Sequence, residues 1–429
     1  MSHSEYNSLD EISRRRFMST AAKWYLGVNL FPMLGSSIGN AADISNAKAK
    51  RVIYLYLAGG MSHLDTFDPK PKKKEVMGET EVISSNADGI QLGHYLPETA
   101  KVMDKVCVVN SITSKQGAHE QGTYQMRTSY SPRGTITHPT LGAWTLRLAG
   151  RLNQDIPGYV AINGGGGGGG FFGAKYGAAP VGNASSGLKD SKKPGSVDGD
   201  AFQRRLALAD RLNKQFHERY ENSEVKGYED LYAEATRLMN SEDLKAFDIG
   251  GETAAARKLY GNSRFGQGCM LARRLVEHNV RFVEVHMGGW DTHYDNFAGV
   301  EARCAEFDRG YSALLTDLEQ RGMLKDTLVV VATEFGRTPN IVTEHDNGRD
   351  HHPAVFTCLM AGGGVKGGFK YGESDAKGMR VKSNPVEVQD FNASIAYAMG
   401  IPHDLVMMSP SKRPFRMADK GSPVKDLFA

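Results

Sequence analysis

Val280-Arg281-Phe282-Val283-Glu284-Val285 runs directly into His286-Met287-Gly288-Gly289-Trp290-Asp291-Thr292-His293. The first six residues alternate with Val and Phe, which is the pattern of a β-strand. A helical pattern from Cys269 to His278 precedes them. A helix therefore feeds a strand, and the strand ends in two glycines, a carboxylate and two imidazoles. In an open parallel sheet, ligands gather beyond the carboxyl ends of the strands. Asp291 and His293 are donors suited to zinc or another divalent ion.

The same arrangement recurs along the chain. Arg51 to Ala58 is a near-continuous apolar run, read as a buried parallel strand. It stops at Gly59-Gly60, and His63 and Asp65 follow. Thr327 to Thr333 is a third such run and leads to Glu334-Phe335-Gly336-Arg337. Ala354 to Met360 is a fourth, preceded by Asp350-His351-His352 and closed by Ala361 to Gly364. Val106 to Asn110 is a further buried strand, with Ser111 and Thr113 after it and a helix predicted from His119 to about Ser131. Helices are also predicted at Leu96 to Asp104, Thr140 to Leu148, Asn296 to Gly322 and Pro385 to Met399. Helices alternating with apolar strands predict an α/β fold, a doubly wound and mostly parallel sheet with helices on both faces.

The chain has 429 residues, 40% of them apolar, enough for one large α/β domain with insertions. Its net charge of +3 comes from 52 basic and 49 acidic residues, and that balance excludes an electrostatic footprint for nucleic acid. Ser13-Arg14-Arg15-Arg16-Phe17-Met18 has the twin-arginine form, followed by an interrupted apolar run, Ala21 to Ile38, and small residues near Ala42. Residues 1–42 are read as a Tat signal peptide. The Tat translocase is the partner expected during export, and the destination is periplasmic or otherwise extracytoplasmic. A spanning helix needs about 20 mainly apolar residues, so no stable membrane span is expected. The four cysteines, Cys107, Cys269, Cys304 and Cys358, form no CxxC pair. Cys107 and Cys358 read as buried thiols, and a Cys269–Cys304 disulfide is compatible with the sequence.

Residues 43–429 are read as the folded domain, with a glycine-rich loop at 163–200 and a helical cover at 201–280. Gly164 to Gly170 is an unbroken glycine run. It lacks the Lys-Ser/Thr ending of a phosphate loop. Either it is mobile or it packs so closely that side chains do not fit.

Leu57-Ala58-Gly59-Gly60-Met61-Ser62-His63-Leu64-Asp65-Thr66-Phe67-Asp68-Pro69-Lys70-Pro71 resembles the opening of a bacterial family, domain of unknown function 1501. The likeness continues through Gly288 to His293, Thr333 to Pro339, Gly348 to Pro353 and Ala361 to Gly368. The resemblance implies a Tat-exported protein of the alkaline phosphatase and sulfatase superfamily, with that fold and a metal site, and the helical cover at 201–280 reads as a helical insertion in it. It places Asp291 and His293 on one metal, with His351 or His352 as a late ligand. Thr333-Glu334-Phe335-Gly336 falls where many superfamily members have Asp-His-Gly, so Glu replaces Asp and Phe replaces His. His63 or Asp65 is the expected first-strand contribution. The nucleophile is expected after Asn110, at Thr113 or else Ser111, and Arg337 is the candidate to hold an anionic group. No cysteine here sits in the C-x-P-x-R pattern of a formylglycine sulfatase.

The metal-ligand candidates are thus His63, Asp65, Asp291, His293, Glu334, His351 and His352. Zinc is the first choice of ion, with manganese, magnesium and calcium as alternatives. The expected function is a metal-dependent hydrolase acting on a small phosphate or sulfate ester. The alternative is a ligand-binding or assembly protein that keeps the hydrolase fold without turnover.

Overall fold

A computed structural model describes residues 45–188 and 241–429, together with 200, 204, 205, 207, 208, 211 and 237–239. The expected signal peptide at 1–42, the last part of the expected loop at 163–200, and most of the cover before 241 lie outside the described residues.

The architecture is the expected α/β sheet. The strands are β1 (Arg51–Leu57), β2 (Val106–Thr113), β3 (Tyr159–Ile162), β4 (Ala179–Val181), β5 (Phe282–Met287), β6 (Thr327–Ala332), β7 (Phe356–Ala361), β8 (Phe369–Tyr371) and β9 (Val386–Glu387). They lie in the order β8-β2-β7-β6-β1-β5-β3-β4, with β9 also paired to β2. Every pairing is parallel except those of β7, which runs antiparallel to both β2 and β6.

The principal helices are α1 (His119–Thr128), α2 (Leu141–Ala149), α3 (Ala254–Tyr260), α4 (Arg264–Glu277), α5 (Asn296–Gln320) and α6 (Val388–Ala398). Alternate residues of β1 point to opposite faces, and each face has its own core. Ile53, Leu55 and Leu57 pack with Phe265 and Leu271 of α4 and with Phe307 and Leu314 of α5. Val52, Tyr54 and Tyr56 pack with Met126 of α1, Trp144 of α2, and Phe391 and Ile395 of α6. Burial on both faces explains why these strands read as continuous apolar runs. Local signals start the helices. Thr140 accepts from Ala143 N at α2, Ser263 accepts from Gly266 N at α4, and Glu387 and Asp390 form a capping box at α6.

Two expectations are corrected and one open alternative is decided. Strand β2 continues to Thr113, so Ser111 and Thr113 belong to the strand rather than to a segment after it. The helix expected from Leu96 to Asp104 is a 3-10 turn over Thr99–Lys105. Cys269 and Cys304 are free and buried, as are Cys107 and Cys358. Within the glycine run, Gly166, Gly167, Gly169 and Gly170 take the close-packed alternative, while Gly164 and Gly168 are exposed. Gly166 N donates to Glu284 Oε1 at 3.1 Å, and Gly167 N donates to the Tyr159 hydroxyl at 3.3 Å. No helix among the described residues is long and apolar enough to cross a membrane.

Candidate metal centre

Strand β1 has β5 on one side and β6 on the other, so the loops after β1, β5 and β6 meet at one edge. Strand β7 runs the opposite way, so the residues entering it arrive at that same edge. Helix α1 follows β2 and starts there as well. Five segments distant in sequence thus share one rim of the sheet. The turn after β1 comes very close to the loop after β5. Gly59 has φ +120°, and a Cβ on it would lie 2.5 Å from Asp291 N, which only glycine permits.

Asp291 is the hub. Its Oδ1 lies 3.2 Å from His293 Nε2 and 3.4 Å from His351 Nε2, and its Oδ2 lies 3.2 Å from His119 Nε2. The Nε2 atoms of His293 and His351 are 2.9 Å apart. His119, Asp291 and His351 each bring one donor atom within 4.8 Å of the others. Arg337, fully buried, donates from Nη2 to Asp291 Oδ1 at 2.5 Å. Arg337 and the neighbouring imidazoles outweigh partial burial, and the Asp291 carboxyl is held down at about 2.

The far nitrogens fix the tautomers. His119 Nδ1 lies 2.7 Å from Glu334 Oε1, His293 Nδ1 lies 2.9 Å from Asp350 Oδ1, and His351 Nδ1 lies 2.8 Å from the Gly117 carbonyl. Carboxylate and carbonyl oxygens only accept. Each neutral ring therefore carries its proton on Nδ1 and turns a bare Nε2 lone pair inward. Two lone pairs 2.9 Å apart beside a carboxylate repel unless a cation lies between them. His119 Nε2 is buried and has no hydrogen-bond partner. Donors of a tetrahedral site with bonds near 2.0–2.1 Å stand about 3.3 Å apart. The 2.9, 3.2 and 3.4 Å separations around His293, Asp291 and His351 bracket that figure. The residues present fit a divalent ion.

Glu334 is 1% exposed. It accepts from Gly59 N at 2.8 Å and from the Tyr56 hydroxyl at 3.0 Å as well as from His119. Burial pushes its carboxyl up, but the bonds from His119 and Gly59 more than offset that and leave it below its usual value. The bond to Glu334 is the main cause that raises His119. Burial lowers His351.

The candidates from the sequence divide as follows. Asp291, His293, Glu334 and His351 come together. His352 does not join them. It pairs with Gly336 in a two-residue antiparallel ladder in which His351 pairs with Arg337, and neighbours along a strand point to opposite sides. His352 instead stacks on His63 at 6.3 Å and sends Nε2 to the Met379 carbonyl at 2.8 Å. His63 sends Nε2 to the Gly378 carbonyl at 3.1 Å. Asp65 is fully buried in an ion pair with Arg349, at 3.0 Å, and accepts from Ser62, Thr80 and Asn296. These three residues are separate from the cluster. Ser111 Oγ donates to the Asn384 carbonyl at 2.6 Å. Thr113 ends β2 and is partly buried.

Arg337 does not offer a free fork to an anion. Nε donates to the Gly60 carbonyl at 2.9 Å, Nη1 to the Arg349 carbonyl at 2.9 Å, and Nη2 to the Gly59 and Trp290 carbonyls and to Asp291. It ties three loops together. His119 stands where the sequence predicts a helix to begin, but nothing local marks it as a candidate ligand. Its signal was position, at the first turn of a helix following a buried strand.

The chain belongs to the family described as a protein of unknown function (DUF1501), whose model matches residues 49–428. No curated protein matches the sequence. Similar solved structures include a lipoteichoic acid synthase from Listeria monocytogenes, at 10% identity and TM-score 0.38, covering 90% of this chain and 79% of that one. A phosphonate monoester hydrolase from Silicibacter pomeroyi is 13% identical at TM-score 0.39, covering 88% and 76%. The C-terminal periplasmic domain of EcEptC from Escherichia coli, in complex with Zn, is 10% identical at TM-score 0.40, covering 93% and 99%.

Proposed function

We propose that the protein is an exported, metal-dependent hydrolase of a small phosphate or sulfate ester. The observation that carries this reading is the convergence of inward-facing imidazole lone pairs on the Asp291 carboxylate. Asp291, His293 and His351 would hold the ion, and zinc suits two imidazoles and one carboxylate. A divalent ion there supplies Lewis acidity to the ester oxygens. Helix α1 begins at His119, so the positive end of its dipole lies at the cluster and favours an anionic group. Arg337 keeps Asp291 ionised and in place, and Asp350 and the Gly117 carbonyl orient His293 and His351. The twin-arginine segment motivates the extracytoplasmic address.

The test is metal analysis and turnover on the same preparation, with p-nitrophenyl phosphate and p-nitrophenyl sulfate as probes. Wild-type protein is expected to retain a divalent ion and turn over one of the two. Asp291→Asn and His351→Ala are expected to lower turnover by at least about 100-fold, roughly 2.7 kcal/mol in the barrier, with unchanged circular dichroism. A wild-type chain without metal, or variants as active as wild type, would falsify the reading.

A second reading, a binding protein that keeps the fold, is favoured by the placement of Ser111, whose hydroxyl is committed to Asn384. In that case the same substitutions abolish ligand affinity while wild-type turnover is absent from the start.

A further inference from the structure

Glu334 stands at the cluster yet turns no free oxygen toward it. Oε1 receives the His119 Nδ1 proton and Gly59 N–H, at 2.7 and 2.8 Å, and Oε2 receives the Tyr56 hydroxyl at 3.0 Å. The imidazole of His119 lies between this carboxylate and Asp291. Its Nε2, buried and without a hydrogen-bond partner, is the atom that faces Asp291 Oδ2. The ring is fixed from two further directions. Phe335 packs on it at 4.9 Å between centroids, and His351 meets it edge-on at 4.3 Å. The helix that carries it is seated on Glu334. A Cβ on Gly122, one turn along α1, would stand 3.0 Å from the Glu334 Cβ.

We infer that the centre takes one ion, held by His119 together with Asp291, His293 and His351, and that Glu334 is a positioning residue rather than a ligand. Its task is to keep the proton of His119 on Nδ1 and the lone pair of Nε2 aimed at the ion. This rests on the metal reading given above and extends it to the number of ions and the role of each donor. Of the two further acids at the rim, Glu334 is taken up on both oxygens by His119, Gly59 and Tyr56. Asp350 gives Oδ1 to His293 and leaves only Oδ2, one donor where a second ion needs about four. A carboxylate behind a metal-binding imidazole fixes its tautomer and orientation and raises its basicity, and removing such a partner typically weakens metal affinity about 10–100-fold.

The test is titration of metal-stripped full-length protein with cobalt(II) and with zinc(II), followed by calorimetry and by the visible absorption of the cobalt form. Wild type is expected to bind one ion per chain. Glu334→Gln keeps an oxygen acceptor for His119, so it is expected to bind one ion with the wild-type cobalt spectrum and affinity down about 10–100-fold. His119→Ala is expected to change the cobalt spectrum and to lower affinity by more than Glu334→Gln does. Tyr56→Phe removes one bond to Glu334 and should give a smaller loss of affinity in the same direction, with no change of stoichiometry. Two ions in wild type falling to one in Glu334→Gln would make Glu334 a ligand and overturn the inference. An unchanged cobalt spectrum in His119→Ala would overturn it equally. Wild-type protein that binds neither ion would instead remove the metal reading beneath it.

Discussion

His63 lies fully buried against the ring of His352, with one nitrogen bonded to the Gly378 carbonyl and Nδ1 without a partner. Burial lowers it from 6.5 to about 3, helped by His352. A group whose folded value lies below its unfolded one binds fewer protons folded than unfolded. Stability therefore rises with pH between about 3 and 6.5 and is lost as pH falls through that window. The slope for one full proton is about 1.4 kcal/mol per pH unit. Urea denaturation at pH 7 and pH 5 is expected to show wild type losing roughly 2 kcal/mol more than His63→Gln. Equal losses would mean that His63 is not held neutral by the fold. At this scale the sequence was legible by residue type but not by environment. His63, Asp65 and His352 carry the same chemistry as His293, Asp291 and His351. What separates the sets is the parity of a two-residue strand for the histidine pair and the buried Arg349 beside Asp65. Neither is a property of the few residues around each candidate. Arg349 lies 284 positions from Asp65.

The principal elements were legible because their causes are local. Caps at Thr140 and Ser263, apolar periodicity in α5, and doubly buried strands all follow from neighbouring residues. The length of β2 was not, because Ser111 and Thr113 read as polar punctuation. Pairing with β7 and β9 carries the strand through them. The antiparallel sense of β7 was also unmarked, since a buried strand looks alike in either direction. The glycine run shows tertiary packing deciding an element that composition left open. A Cβ on Gly167 would fall on Thr140 Cγ2, whereas one on Gly168 would find its nearest atom at 3.9 Å. Gly167→Ala is therefore expected to cost about 1–3 kcal/mol through overpacking. Gly168→Ala is expected to change stability by less than about 0.5 kcal/mol. Thermal or chemical denaturation of the pair checks this, and equal tolerance at both positions would return the run to a mobile loop.

At the scale of the molecule, the centre is a product of topology. The loops after β1, β5 and β6 and the start of α1 reach one rim because the strands before them run parallel, and the entry to β7 joins them because that strand alone is reversed. The convergence of Asp291, His293 and Glu334 could be expected from the rule that sites lie beyond strand ends. The choice of His351 over His352, and the entry of His119, depend on strand parity and on packing between distant segments. Such a centre has a thermodynamic consequence for the whole chain. The donors proposed for it come from residues 119, 291, 293 and 351, so an unfolded chain presents no such set. An ion that binds only the folded state stabilises it by RT ln(1 + [L]/Kd), about 2.7 kcal/mol when the free ion is at 100 times Kd. Zinc is therefore expected to raise the Tm of metal-stripped protein by several degrees, in proportion to the logarithm of its concentration. The rise should vanish in His351→Ala and persist in His352→Ala, because the side chain of His352 lies on the other side of its strand against His63. Scanning calorimetry over a zinc series separates the two neighbours. If His352→Ala abolished the shift and His351→Ala did not, the rim assigned here would be the wrong one, and the ion would have to lie between His63 and His352.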